Sequence, residues 1–165
     1  MKISLDDLNA LPASGFVDRL GAIFEHSPWV AEKAAANRPY PNIATLHQSM
    51  VQIVQEAGES TQLALLNSHP DLVGQALLTP ESTSEQAAAG LTHLSEQEKE
   101  KFLTYNHDYR KKFGFPFILC ARLNKKEAIL ATFPQRLAQT RAAEITTALE
   151  EIAKIARLRL EDVIG

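Results

Sequence analysis

The sequence predicts an all-α fold, a single-domain helical bundle of about seven to nine helices. Apolar residues recur three and four positions apart through most of the chain, and the alternation typical of strands is nearly absent. Serine, proline and glycine residues stand where such helices would begin and end. With 165 residues, 45% of them hydrophobic, the chain is long enough for one domain over residues 1–165 with a full core.

Five helices are predicted in the first half of the chain. Ser4, followed by two aspartates, is a candidate cap for a short helix that Pro12 ends. The other four begin at a polar cap, at a proline or at the first turn of an apolar stripe, and they are expected from Ser14, Pro28, Thr45 and Ser60. The last of them leads to a histidine-proline pair.

In the second half, residues 73–81 carry few periodic apolar positions and predict a loop, and a short helix from Pro80 to Ala89 follows. Ser95 and Glu98 form a capping box that opens a long helix, which Gly114 closes. Two more helices are expected at residues 126–137 and 141–163, and a buried extended segment is expected at residues 115–121.

Composition excludes several classes of protein. The net charge of −3 argues against a nucleic-acid surface. No apolar run approaches the roughly 20 residues of a membrane helix. The N-terminal residues lack the apolar core of a signal peptide, so we expect a cytoplasmic protein. Cys120 is the single cysteine, which excludes an internal disulfide, and its apolar surroundings predict a buried small side chain.

His69 is the first candidate for chemistry. It precedes Pro70, and a residue before proline disfavours the α region, so the preceding helix is expected to stop there. Its imidazole titrates near neutral pH, which suits proton transfer. The alternative is a histidine that complements a helix dipole at the C-terminal end. The dipeptide alone leaves both interpretations open.

A second candidate group stands near the start of the predicted helix at residues 80–89. Ser82, Glu85 and Gln86 supply a hydroxyl, a carboxylate and an amide there. The N–H groups of a helix N-terminus suit an anionic or carbonyl-rich ligand. The S-x-x-E spacing of Ser82 and Glu85 is equally that of a capping box, which is the structural alternative.

Arg159 is the third candidate. At about 100° per residue it lies about 20° from Ile152, within the apolar stripe of the last helix, whereas Arg157 lies about 140° away and should be solvated. An inward guanidinium requires an anionic partner. That partner is either a carboxylate of this chain or the carboxylate of a substrate.

The remaining histidines show no metal-ligand spacing, and no zinc, phosphate-loop or serine-nucleophile motif occurs. The sequence therefore predicts no metal site.

Five stretches are distinctive as a set: FEHSPW at 24–29, SHPDL at 68–72, residues 82–91 with EQAAAGL, FGFPFILCAR at 113–122 and KIARLRL at 154–160. In this order, and over nearly the whole chain, they resemble 2-oxo-4-hydroxy-4-carboxy-5-ureidoimidazoline (OHCU) decarboxylase. That family makes (S)-allantoin late in urate breakdown.

The resemblance implies an all-helical homodimer without a cofactor. Its catalytic histidine falls on His69 and its anion-binding arginine on Arg159. Its substrate-contacting residues fall on Pro70, Ser82, Thr83, Ser84, Glu85, Gln86, Phe117, Ile118, Leu119, Cys120 and Ala121.

The implied reaction can be argued from the substrate. A carboxylate and a hydroxyl share one ring carbon beside a ring C=N, which accepts the electrons when CO₂ leaves, so the substrate contains its own electron sink. We expect His69 to act on the hydroxyl as general acid–base, Glu85 to orient the ureido group and Arg159 to position the anion. Two alternatives are a non-catalytic helical module that binds an anionic metabolite and a metal-dependent helical hydrolase.

Overall fold

The structure is a computed structural model that describes residues 1–74 and 78–165. Over these residues the chain is α-helical with irregular connections, as the sequence predicted. The nine helices found there are α1 (Leu5–Ala10), α2 (Ala13–Leu20), α3 (Trp29–Ala35), α4 (Ile43–Gln55), α5 (Glu59–Asn67), α6 (Pro80–Ala88), α7 (Glu96–Phe113), α8 (Lys126–Leu137) and α9 (Arg141–Val163). A short 3₁₀ helix, Ala121–Leu123, precedes α8.

The chain divides into two compact units. The first contains residues 1–68 and 153–165, and the second contains residues 69–152. Helix α9 contributes its N-terminal half to the second unit and its C-terminal half to the first. The loop predicted at residues 73–81 is irregular at 73–74 and 78–79, residues 75–77 lie outside the described part, and α6 begins at Pro80.

In the first unit, α3 packs against both α2 and α4. Each presents one apolar face, and the fully buried side chains include Phe16, Leu20, Val30, Leu46 and Met50. In α2 and in α4 the listed residues are four positions apart, which is the helical spacing that the sequence showed. The two ends of the chain meet here, because Ile3 and Ile164 form an isolated parallel bridge.

The second unit has an aromatic core. Phe117 stacks on Phe133 with ring centroids 3.9 Å apart, and Tyr109 meets the edge of Phe117 at 5.4 Å. All seven residues of the segment 115–121 are buried and none is α-helical, which confirms the predicted buried segment. Pro116 within the segment cannot donate a backbone hydrogen bond, and Gly114 before it ends α7 with a φ of +82°.

Two predicted caps are confirmed. The Ser4 hydroxyl accepts a hydrogen bond from the Asp7 N–H at 3.1 Å. Ser95 and Glu98 form the reciprocal capping box that opens α7.

Two other predicted caps are wrong, and so is the capping alternative at Ser82. Helix α2 starts after Pro12 rather than at Ser14, and α5 starts after Gly58 rather than at Ser60. A cap residue needs non-helical backbone angles, and these serines already lie inside their helices. Ser82 is likewise not a cap, because Thr79 caps α6 and accepts from the Ser82 N–H at 3.2 Å.

Among the described residues, no helix is both long enough and apolar enough to cross a membrane.

Candidate functional site

His69 lies immediately after a helix end. Helix α5 stops at Asn67, Ser68 closes its last turn, and His69 follows outside the helix. This is the interruption that Pro70 predicted. Only 7% of His69 is exposed, so the residue is buried rather than in solvent.

The loop that follows His69 is fixed by Gln86 of α6. The Gln86 amide nitrogen donates to the carbonyl of Asp71 at 3.3 Å, and its oxygen accepts from the N–H of Val73 at 3.2 Å. One amide thus bonds two backbone groups of the loop, and it brings the residues after Pro70 against α6. Gln86 therefore supports the loop, and it is also one of the residues of α6 that were predicted to lie in the site.

Helix α7 fixes the same loop from a second direction. The Asn106 amide nitrogen donates to the carbonyl of Leu72 at 2.6 Å, and the Arg110 guanidinium pairs with the Asp71 carboxylate at 3.0 Å. The Asn106 bond is buried, whereas the side chain of Arg110 is 44% exposed. We therefore assign most of the anchoring to Asn106, since exposed ion pairs contribute little.

Val73 has an uncommon backbone conformation. Its φ is +61°, and a β-branched residue with positive φ is a genuine outlier. Strain of this kind costs about 1–3 kcal/mol and is concentrated at functional sites. The bond from its N–H to Gln86 lies at this strained position, four residues after His69.

The buried face of α6 is polar. Ser82, Glu85 and Gln86 are each less than 10% exposed and lie three and four positions apart, where a packed helix would have apolar side chains. A buried hydroxyl, carboxylate and amide on one face must bind polar partners. Thr83 and Ser84, also predicted as site residues, are exposed on another side of the helix.

This polar face lies beside the segment 115–121. Helix α6 packs on the 3₁₀ turn that follows Cys120. Burial raises the pKa of the Cys120 thiol above its ordinary value, and the negative charges of Glu151 and Glu85 raise it further. Cys120 is therefore the buried small side chain that the sequence predicted, and the raised pKa keeps its thiol protonated.

A buried ionic cluster lies behind the segment. The Arg136 guanidinium pairs with Glu144 at 2.7 Å and donates to the carbonyl of Ile118. The Tyr109 hydroxyl donates to the same Glu144 carboxylate at 2.5 Å. Burial is the main cause that raises the pKa of Tyr109, and the bond to Glu144 adds to it. The phenol therefore stays protonated throughout the physiological range.

Arg159 belongs to the first unit. It is 4% exposed, which confirms the inward direction that the helical phase predicted. It pairs with Glu25 at 3.0 Å and donates to the carbonyl of Ala22 at 3.1 Å. Arg157 pairs with Glu161 of the next turn, and its side chain is 40% exposed, again as predicted.

Comparison with known proteins identifies the family. The model of the OHCU decarboxylase family matches residues 9–161. The chain belongs to this family.

Two relatives are similar to this chain over nearly its whole length. The 2-oxo-4-hydroxy-4-carboxy-5-ureidoimidazoline decarboxylase of Haloferax volcanii is 40% identical, over 98% of this chain and 96% of its own length. The uric acid degradation bifunctional protein PucL of Bacillus subtilis is 44% identical over 98% of this chain, which spans only 33% of that protein.

A solved structure extends the likeness to three dimensions. The crystal structure of (S)-allantoin synthase matches with a TM-score of 0.82 at 32% identity, over 98% of this chain and 54% of that one. The all-α OHCU decarboxylase fold predicted from the sequence is thereby confirmed.

Sequence reasoning missed four buried charged residues: Glu25, Arg136, Glu144 and Glu151. In α9 the signal was present, because Glu144 and Glu151 lie seven residues apart, about 20° from each other on the face that also contains Arg159. The sequence instead predicts an apolar stripe through Ile145, Leu149 and Ile152, and the first two of these are only half-buried. Glu25 and Arg136 carry no comparable periodic signal.

Proposed function

We propose that this chain decarboxylates OHCU to (S)-allantoin, with His69 as the general acid–base. The observation that supports this most is the buried polar face of α6, whose Gln86 bonds the loop that begins at the buried His69. The chain that contains this arrangement belongs to the OHCU decarboxylase family. Gln86 bonds the loop after His69, and Ser82 and Glu85 add a hydroxyl and a carboxylate to the same face, which are groups that suit a polar ligand.

The chemistry needs little from the protein beyond orientation. When CO₂ leaves, the pair of electrons from the broken bond forms a double bond to the neighbouring ring carbon, and the former C=N takes up charge and a proton. His69 accepts the proton of the ring hydroxyl as the carbon that carries this hydroxyl becomes a carbonyl. Protonation of the neighbouring ring carbon then completes allantoin. No pyridoxal or thiamine group is required, because the substrate accepts the electrons itself.

Glu85 has the proposed role of orienting the substrate. Its carboxylate accepts hydrogen bonds from N–H groups, and the ureido arm supplies several. Pro70, Ser82 and Gln86 would form the wall on that side, whereas the predicted Thr83 and Ser84 are exposed on another side of α6. Arg159 has the proposed role of binding the substrate carboxylate, a role that rests on the sequence and not on its bond to Glu25.

The segment 117–121 would form the opposite wall and exclude water. The carbonyl of Ile118 and the N–H of Cys120 are already bonded to side chains of α8 and α9. Because the C=O and the N–H of a trans peptide point in opposite directions, the N–H of Leu119 points away from Arg136 and its C=O points away from Glu151. Leu119 is therefore the residue proposed to offer its N–H and C=O to the ring.

The direct test supplies freshly generated OHCU to the purified protein and follows chiral allantoin by circular dichroism. We expect the (S) signal to develop faster than in the uncatalysed reaction. Binding without turnover would support the non-catalytic alternative, a helical module for an anionic metabolite. Activity is expected to survive dialysis against a chelator, and loss restored by one metal would support a metal-dependent enzyme.

The homodimer implied by the family resemblance and the cytoplasmic location stay predictions. Elution of the purified protein at about twice 18.2 kDa would support the dimer. A fully active monomer at micromolar concentration would contradict it.

A further inference from the structure

The middle of the segment 115–121 is bonded by two buried charged side chains. Arg136 of α8 donates to the carbonyl of Ile118, and Glu151 of α9 accepts from the N–H of Cys120 at 3.0 Å. Arg136 is 6% exposed and Glu151 is 8% exposed. Both bonds therefore lie in a dry environment, where a hydrogen bond is directional and costly to break.

Arg136 is itself held in one orientation. Its Nε donates to Glu144 at 2.7 Å, and the guanidinium lies 4.4 Å from the centre of the Phe117 ring. Tyr109 donates to the same Glu144 oxygen, which completes the cluster. The planar fork thus reaches Ile118 from a fixed direction, which a flexible lysine would not do.

Stability alone does not explain these charges. Buried ions lose hydration, and apolar residues of the same volume often replace a buried pair without loss of stability. Two buried charged groups, one from α8 and one from α9, are here directed at backbone atoms two residues apart. Bonds at both positions prevent the segment from rotating about its own axis.

We propose that Arg136 and Glu151 are positioning residues for the decarboxylation, which fix the backbone of Ile118 to Cys120 so that Leu119 faces the substrate. The inference rests on the proposed function. Neither residue touches the substrate in this account. A misplacement of about 1 Å in such a wall is enough to lower a rate roughly 100-fold.

The first test compares two substitutions of Glu151. Glu151→Gln keeps the oxygen that accepts from Cys120, so kcat is expected within about threefold of the parent. Glu151→Leu fills similar space and removes the acceptor, and we expect kcat to fall at least about tenfold while KM changes less than threefold. Equal kcat values in the two variants would overturn the proposal.

The second test separates positioning from general stability. Arg136→Lys keeps a cation for Glu144 but loses the fork, so kcat is expected to fall as in Glu151→Leu. Tyr40→Phe is the control, because it removes a buried hydroxyl of the first unit that donates to the carbonyl of Ala34, so the melting temperature should fall by about 2–4 °C while kcat stays within about twofold. An equal fall of kcat in both variants would show that kcat follows the stability of the fold, and would overturn the proposal.

Hydrogen exchange distinguishes this inference from the proposed function. The Cys120 amide should exchange slowly in the parent and in Glu151→Gln, and at least about tenfold faster in Glu151→Leu. That result stands even if the parent shows no turnover of OHCU, in which case the proposed function fails and the fixed backbone remains. Unchanged exchange in Glu151→Leu would contradict the inference whatever the activity.

Discussion

Polar side chains that are buried on a helix face are the most informative residues of this chain. Ser82 and Glu85 are buried at positions that apolar residues usually fill, and His69 is buried although most histidines are at least partly exposed. Each has lost hydration and must recover it from a partner. Burial of this kind is stronger evidence for a site than the short sequence motifs around these residues.

His69→Asn is expected to lower the production of (S)-allantoin by at least about 100-fold, because general acid–base catalysis contributes about 10²–10⁴. Asparagine keeps a similar size and hydrogen-bonding capacity, so the helical spectrum should not change. The assay is circular dichroism of the product. His107→Asn is the matched control, since His107 is exposed on α7, and it should retain full activity. Turnover near that of the parent in His69→Asn would remove His69 from the mechanism.

Arg159→Lys keeps the charge and loses the two-pronged donor. The contacts with Glu25 and with the Ala22 carbonyl cannot both be kept, so we expect a loss of about 1–3 kcal/mol in the free energy of unfolding. If Arg159 also binds the substrate carboxylate, kcat/KM falls at least about tenfold, equivalent to about 1.4 kcal/mol. Both are measured well below the melting temperature of the variant.

Arg157→Lys is the control for this comparison, because Arg157 forms only an exposed pair with Glu161. Its unfolding free energy should change by less than about 0.5 kcal/mol and its kcat/KM by less than about twofold. A lower melting temperature with an unchanged KM in Arg159→Lys would give Arg159 a structural role alone.

At the scale of elements, helices α8 and α9 begin and end where the sequence predicted. Their apolar residues recur over several turns, so the prediction did not depend on any single position. Helix α5 was harder to delimit, because its start depends on Gly58, whose φ of +87° is not visible in the sequence. A serine that can cap a helix is not distinguishable, by type alone, from one that lies in its first turn.

Helix α7 offers the clearest test of a predicted element. Ser95→Ala removes the hydroxyl that accepts a hydrogen bond from the Glu98 N–H, and the substitution should cost about 1 kcal/mol of stability.

The Glu98 carboxyl makes this helix start sensitive to pH. The hydrogen bond from the Ser95 N–H, and then the one from Lys126, lower the pKa of this carboxyl. Its stabilising effect is therefore present above its ordinary pKa and is lost as pH falls through the lowered value. Thermal melts between pH 7 and pH 3 should show a smaller acid dependence in Glu98→Gln than in the parent.

At the scale of the molecule, the helical class and the buried segment 115–121 were predictable, because both follow from local patterns. The pairs of hydrogen-bonded residues described above were not predictable from the sequence. Glu25 and Arg159 are 134 residues apart, and Cys120 and Glu151 are 31 apart. A single sequence contains no signal that links two such positions, since either partner alone is an ordinary charged or apolar residue. The sequence motifs and the family resemblance supplied His69 and Gln86, but not Asn106 and Arg110, which also fix the loop after His69.

The bridge between Ile3 and Ile164 makes the order of the helices effectively circular. Ile3 N–H donates to the carbonyl of Val163 at 2.9 Å, and Gly165 N–H donates to the carbonyl of Ile3 at 3.0 Å. A linker of about five glycine and serine residues should therefore join the two ends without strain. New ends opened at the exposed Thr92 would then give a circular permutant that folds and melts within a few degrees of the parent. A permutant that is insoluble, or that melts far below the parent, would show that folding depends on the natural order of the chain.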